Sequence, residues 1–203
     1  MIVKYIASQF SLPKGIGGVL STLVMNHMNK KLYQSVLNRI PSNGSKILDI
    51  GFGNGYMMKK LLQNPDHEVA GLEVSKDMID RVWMNQQIAI QEGRCRLMKG
   101  RAEQIPVPDD SFNVLYSINT IYFWESLDAG LKEIYRVGMK EGLCILSFYD
   151  KVWLDNLPFT SYGFQTYEVQ DIVAHGIANG FLIDQETSES VKNRHTIVMK
   201  IKK

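Results

Sequence analysis

Cysteine is scarce in this sequence: Cys95 and Cys144 are the only two among 203 residues. They are far apart, each in an apolar, strand-like run, which excludes a disulfide framework and leads us to expect reduced core thiols in a cytoplasmic protein. The four histidines show no pair at metal-ligand spacing, so no metal site is expected. Neither sign of charge dominates, because 23 Lys+Arg against 21 Asp+Glu leaves a net charge of +2. No broad basic field advertises a nucleic-acid partner, and a small or weakly charged substrate fits better. Repeats, low-complexity tracts and long charge runs are also missing. The apolar run from Gly15 to Met25 is too short to cross a bilayer and has no small-residue cleavage site after it. It reads as a segment of the folded domain, with no stable membrane insertion.

What the sequence does have is apolar residues, 45% of the chain, enough for one well-buried domain over residues 1–203. We divide it into an N-terminal helical cap, 1–45, and a core, 46–203. Met28, Leu32, Val36 and Ile40 recur every four residues, predicting an amphipathic helix stopped by Pro41 and a Ser42-Asn43-Gly44 turn. Seven short apolar runs then read as strands: Lys46–Ile50, Glu68–Glu73, Cys95–Gly100, Phe112–Ile118, Leu143–Tyr149, Phe181–Thr187 and His195–Ile201. Helices are predicted at Tyr56–Leu62, at Lys76–Glu92 with Ser75 as N-cap and Gly93 as stop, along the Leu127, Leu131, Ile134, Tyr135 stripe, and at Tyr167–Asn179. This alternation predicts an α/β fold, a doubly wound, mostly parallel sheet with helices on both faces. The link before the last strand is too short for a crossover, so that strand is expected to run antiparallel.

The first strand runs into three glycines at alternate positions, Gly51, Gly53 and Gly55. Glycine lets a backbone approach a ligand closely, and the next helix offers unpaired N–H groups. Close strand–helix packing is the competing explanation. Dinucleotide sites have the form G-x-G-x-x-G, whereas this turn is G-x-G-x-G, a spacing that points to another adenosyl ligand.

The stretch Asp49-Ile50-Gly51-Phe52-Gly53-Asn54-Gly55 resembles the first motif of the class I S-adenosylmethionine-dependent methyltransferases, and "PKGIGGVLSTLVMNHMNKKL" before it resembles the N-terminal cap of a bacterial small-molecule group of that family. Glu73 in "VAGLEVSKDMI" stands where that family holds the ribose hydroxyls. The run from Gly100 to Leu146 is similar to the family's third-strand to fifth-strand region. The resemblance implies a Rossmann-like seven-stranded fold and S-adenosyl-L-methionine as cofactor. It assigns Asp49, Gly51, Gly53, Asn54, Gly55, Glu73, Val74, Met78, Ala102, Glu103 and Asn119 to the cofactor. Asp49 either meets the cofactor's amino group or fixes the glycine turn. The family's adenine-binding aspartate is Arg101 here, which only donates, so adenine recognition passes to backbone groups or to Glu103. The usual Gly-Gly before the fifth strand is Glu141-Gly142, which is expected to change the turn and little else.

Met25, Tyr122, Trp124, Trp153 and Tyr162 are the expected acceptor contacts. Tyr122, Phe123 and Trp124 either surround the sulfonium methyl, as aromatic faces attract cations, or pack beneath the loop. Trp153, Phe159, Tyr162 and Phe164 crowd the loop after the fifth strand, as a substrate wall or as anchors of the loop itself. His27 and His195 are candidate bases or structural histidines, and no catalytic residue is assigned. Several motifs of the wider family are absent: Asn/Asp-Pro-Pro-Tyr/Phe after the fourth strand, a Pro-Cys nucleophile, and the additional cysteines that arsenite methylation requires. The remaining acceptor is a small-molecule oxygen, nitrogen, sulfur or activated-carbon nucleophile. A lipid or quinone at a membrane surface, or a non-catalytic adenosyl-binding role, are the alternatives.

Overall fold

The first described element, α1 (residues 28–37), turns Leu32 and Val36 inward, as the four-residue period requires, and ends before Pro41. The computed structural model describes residues 28–158, 160–189 (185–189 by backbone alone) and 193–203. Met25, His27 and Phe159 lie outside the described residues. The strands are β1 (Lys46–Ile50), β2 (Glu68–Glu73), β3 (Cys95–Lys99), β4 (Phe112–Ile118), β5 (Gly138–Tyr149), β6 (Phe181–Glu189) and β7 (Arg194–Ile201). They form one seven-stranded sheet in the order β3-β2-β1-β4-β5-β7-β6. The first five are parallel, and β7 lies antiparallel between β5 and β6.

β1 is buried along four of its five residues, as expected for a central parallel strand covered on both faces. Leu48 and Ile50 point to one face, where α5 (Leu127–Val137) and α7 (Val169–Ala178) bury Leu131, Ile134 and Ile172. Ile47 points to the other, with Val36 of α1, Met58 and Leu61 of α2 (Tyr56–Leu61) and Val82 of α3 (Lys76–Asn85). Cys95 and Cys144 are buried free thiols whose ionisation burial opposes, as expected of core residues.

Three elements differ from the sequence expectation by more than a residue or two at an end. The helix expected over Lys76–Glu92 breaks at Gln86, whose backbone leaves the helical region, and resumes as α4 (Gln87–Gln91), with Gly93 at φ +75° stopping it. Ser75 caps α3 as expected, its hydroxyl accepting from Met78 N at 3.4 Å. The fifth strand begins at Gly138, five residues early, and bulges where the register against β4 jumps between Phe112 and Val114. Within that bulge Glu141 sits at φ +59°, so Glu141-Gly142 forms a bulge inside the strand, not a turn before it. A short helix, α6 (Lys151–Leu154), follows β5, with Asp150 capping it through Trp153 N at 3.0 Å.

The loop between β3 and β4 is fixed by one side chain. Arg136 of α5 donates to the backbone oxygens of Ile105 (2.9 Å) and Val107 (3.0 Å), to Asp109 Oδ1 (2.7 Å) and to both oxygens of Glu133. Glu133 in turn accepts from Ile105 N at 2.9 Å. We expect Arg136→Ala to lower unfolding free energy by about 1–3 kcal/mol, since two backbone acceptors and a half-buried carboxylate lose their donor. An unchanged urea midpoint would show that the loop holds without it.

Candidate functional site

Strand order reverses between β1 and β4, so the turns after their carboxyl ends diverge and leave a crevice. A cavity of about 300 Å³ opens there, within the range of small-ligand sites. The turn after β1 forms its floor. Gly51, Gly53 and Gly55 all have positive φ, +78°, +53° and +74°, but for different reasons. A Cβ on Gly51 would lie 2.4 Å from Thr120 Cγ2, and one on Gly55 would lie 2.6 Å from Val82 Cγ2. A Cβ on Gly53 would meet nothing within 4 Å, because that residue faces the open cavity. Two glycines therefore allow the turn to pack, and the middle one leaves room for a ligand.

Glu73, at the end of β2, is 8% exposed and ties two turns together. Its Oε2 accepts from Gly53 N at 3.0 Å, and its Oε1 accepts from Val74 N and Ser75 N, both at 2.9 Å. Asp49 is 4% exposed, and its Oδ2 accepts from the Tyr116 hydroxyl at 2.6 Å, across the register that pairs Asp49 with Tyr116. Its described hydrogen bond therefore goes to the sheet and not to the glycine turn. Burial, aided by the charge of Glu73 and opposed by the Tyr116 bond, pushes the Asp49 carboxyl up to about 7.

This shift makes a pH prediction. Between about pH 4 and 7 the folded protein holds a proton that the unfolded aspartate has lost, so stability falls as pH rises through that window. We expect Asp49→Asn to remove a fall on the order of 1–3 kcal/mol, measured as urea midpoints at pH 5 and 7.5. Parallel pH profiles for the two proteins would contradict it.

The other expected residues are distributed unevenly. Asn54, Val74, Ala102, Glu103, Asn119 and Trp124 line the cavity, as do Gly51, Gly53, Glu73 and Asp49. Met78 does not: it is 2% exposed and packed in the core with Val82, and Gly55, which packs against Val82, does not line the cavity either. Glu103 is already engaged, one oxygen accepting from Glu125 N (2.6 Å) and Ser126 N (3.4 Å), while Arg101 pairs with Glu125. Tyr122 does not line this cavity: it is 3% exposed, and its hydroxyl accepts from Tyr149 N at 2.6 Å and lies 3.0 Å from Asn119 Oδ1 and Tyr149 O. Phe123 and Trp124 of the same segment do face the cavity. Tyr162 is 48% exposed and lines no described cavity. His195 Nε2 lies 3.2 Å from Asp150 Oδ2 with its ring tilted against Phe148, and His195 also lines neither cavity. Among the described residues no group of three His, Cys, Asp or Glu is placed to hold a metal.

Sequence reasoning missed Asn29 and Tyr33 on α1, which line the cavity. Asn29 is 5% exposed, and its Oδ1 accepts from Asn119 Nδ2 at 2.8 Å; Asn119 itself is held at φ +57°. Tyr33 stacks on Tyr56 at 4.9 Å, and burial pushes its hydroxyl up to about 12. Both residues follow the four-residue spacing next to Leu32 and Val36, which was the available signal.

A family model for the methyltransferase domain matches residues 48–146. An uncharacterized methyltransferase of Bacillus subtilis, YdaC, is 28% identical over 120 residues, 58% of this chain and 64% of that protein. An O-methyltransferase of Pyrenophora dematioidea is 30% identical over 130 residues, 64% of this chain and 48% of that protein. The chain thus spans between about half and two thirds of these relatives. The PH0226 protein of Pyrococcus horikoshii has the same fold, with a TM-score of 0.72 at 20% identity, covering 88% of this chain and 91% of that one. The sheet order, the Gly-rich turn at the strand-order reversal and the domain match agree, and the chain belongs to the class I S-adenosylmethionine-dependent methyltransferase family.

Proposed function

We propose that this protein transfers a methyl group from S-adenosylmethionine to a small-molecule nucleophile. The observation that carries the reading is Gly53, whose missing Cβ leaves the cavity open beside two buried carboxylates, Asp49 and Glu73. Such a cradle fits a cationic ligand with ribose hydroxyls. When bound, S-adenosylmethionine supplies a methyl carbon that its sulfonium makes electrophilic, the carbon–sulfur pair staying with sulfur as the acceptor's pair takes the carbon. An acceptor hydroxyl loses its proton to water in that exchange.

The protein's own residues orient and exclude solvent. Glu73 accepts from the ribose hydroxyls while holding Gly53 and Ser75 in place. Asp49 faces the ligand's amino group. Gly51, Asn54, Val74, Ala102 and Asn119 shape the remaining walls. Glu103, with one oxygen engaged, and backbone groups near Ala102 meet the adenine. We assign no general base and no metal. The free buried thiols support a reducing, cytoplasmic setting, and among the described residues no helix is long and apolar enough to cross a membrane.

Calorimetric titration with S-adenosylhomocysteine, followed by an acceptor screen with methyl-labelled S-adenosylmethionine, tests the reading. Binding with labelled small-molecule product is the expected result. Binding without transfer to any acceptor in a broad extract would favour the non-catalytic alternative, and absence of binding would overturn both.

A further inference from the structure

A smaller recess of about 50 Å³ adjoins the main cavity and shares Asn29, Asn119 and Phe123 with it. Its other walls are hydrocarbon and ring. Tyr122 stacks on Phe164 at 5.9 Å and 27°, and Tyr149 stacks on Trp153 at 6.2 Å and 27°. Leu154 and Leu157 close the far side, and no charged side chain is among the described residues lining it. Most polar atoms here are engaged. The Tyr122 hydroxyl and the Asn119 amide serve each other and their neighbours, and the Tyr149 hydroxyl donates to Met28 O at 3.0 Å. One is left over: the indole nitrogen of Trp153 is buried and has no hydrogen-bond partner among the described residues.

We infer that this recess seats the apolar end of a methyl acceptor that extends into the adjoining cavity, and that the acceptor is an uncharged, mostly aromatic or hydrocarbon molecule whose neutral oxygen accepts from Trp153 Nε1. The inference rests on the methyltransferase reading above and narrows its substrate class. A charged group would lose its hydration among these rings and gain no counter-ion. Aromatic walls favour a flat apolar group through offset and edge contacts. A neutral hydroxyl or carbonyl gives the buried N–H the acceptor it lacks. Continuity through Asn29 and Asn119 places the contents of the recess next to the cofactor cavity, where a methyl group is delivered.

The test is calorimetry on the full chain saturated with S-adenosylhomocysteine, using 4-ethylphenol, ethylbenzene and 4-ethylbenzoate as probes. 4-Ethylphenol is expected to bind, and 4-ethylbenzoate to bind at least about tenfold more weakly. Trp153→Phe, which keeps a ring and removes the N–H, is expected to weaken 4-ethylphenol about three- to tenfold and leave ethylbenzene within about twofold. Leu157→Lys, a second variant, is expected to reverse the preference in favour of the benzoate. Equal affinity for phenol and benzoate in the wild type, or an unmoved phenol affinity in Trp153→Phe, would overturn the assignment. So would exclusion of all three probes, which would mean that the chain's own side chains fill the recess. If S-adenosylhomocysteine itself fails to bind, the methyltransferase reading falls, while the same probes without it still decide the chemistry of the recess.

Discussion

Replacing Glu73 by alanine is expected to weaken S-adenosylhomocysteine binding by about ten- to several-hundred-fold. Hydrogen bonds to an ionised group contribute roughly 1.5–3 kcal/mol each, and a bidentate pair is rarely additive. The carboxylate has two tasks, because it accepts from Gly53 N, Val74 N and Ser75 N before any ligand is considered. Alanine removes both the ribose partner and the tie between the two turns. Glu73→Gln is expected to lose less, since its one amide oxygen keeps part of the acceptor set while its NH2 faces groups that themselves donate. A double-mutant cycle separates the tasks by titrating wild type and Glu73→Ala with S-adenosylhomocysteine and with its 2′,3′-dideoxy analogue. If the carboxylate holds the hydroxyls, most of the loss disappears with the analogue. Equal losses for both ligands would sink the ribose contact and leave Glu73 only the turns to organise.

Gly51→Ala is expected to cost the most in stability. An L-residue at φ +78° loses about 1–2 kcal/mol, and its Cβ would sit 2.4 Å from Thr120 Cγ2, an overpacking that adds about 1–3 kcal/mol. Thr120 cannot simply turn away, because its hydroxyl is 2.5 Å from Ser117 Oγ, donates to Ile50 O at 3.3 Å and accepts from Trp124 Nε1 at 3.3 Å. Adding Thr120→Ser keeps that hydroxyl and removes the offending methyl, so the double variant is expected to recover about half of the lost stability. Gly53→Ala is the control. Its Cβ meets nothing, so it should cost only about 1–2 kcal/mol in stability and yet reduce ligand affinity, since the methyl enters the cavity. Urea denaturation with parallel calorimetry gives both readings. A Gly53→Ala protein that binds S-adenosylhomocysteine as tightly as wild type would remove the ligand from that floor.

Much of the fold was readable because burial imposes simple periods. β1, β2 and β4 have their expected limits, since each is a short, mostly apolar run bounded by polar or turn residues. The start of β5 was hidden because Lys140 and Glu141 break the apolar run, although they project from a bulge within the strand. The break at Gln86 was hidden for the opposite reason: the helical period continues on either side of it. In the site, glycine spacing and the acid at the end of β2 marked where a ligand fits, because backbone conformation demands particular residues there. Which glycine serves packing and which serves space depends on Thr120 and Val82, far away in sequence, and no local pattern carries that. Asn29 was missed because the helical spacing places it beside the buried stripe but its significance comes from Asn119, 90 residues later. The two expectations for Tyr122 could not be separated locally, because an aromatic after a strand looks the same whether its ring lines a recess or its hydroxyl closes a backbone bond, and here it does both.

The placement of β7 between β5 and β6 bears on how the chain acquires its structure. β6 is synthesised first but has no neighbour in the sheet except β7, so it cannot dock on the parallel strands directly. Until residues 194–201 arrive, β5 presents an open hydrogen-bonding edge, and β6 is a separate ribbon waiting for its partner. Pairing β6 with β7 as a hairpin before docking on β5 would limit the loop-closure entropy of the final step. Slowing that docking, for example with proline at Ile197, which pairs with Leu146 in the sheet interior, would leave a strand edge exposed to other chains and favour aggregation during refolding over a simple loss of rate.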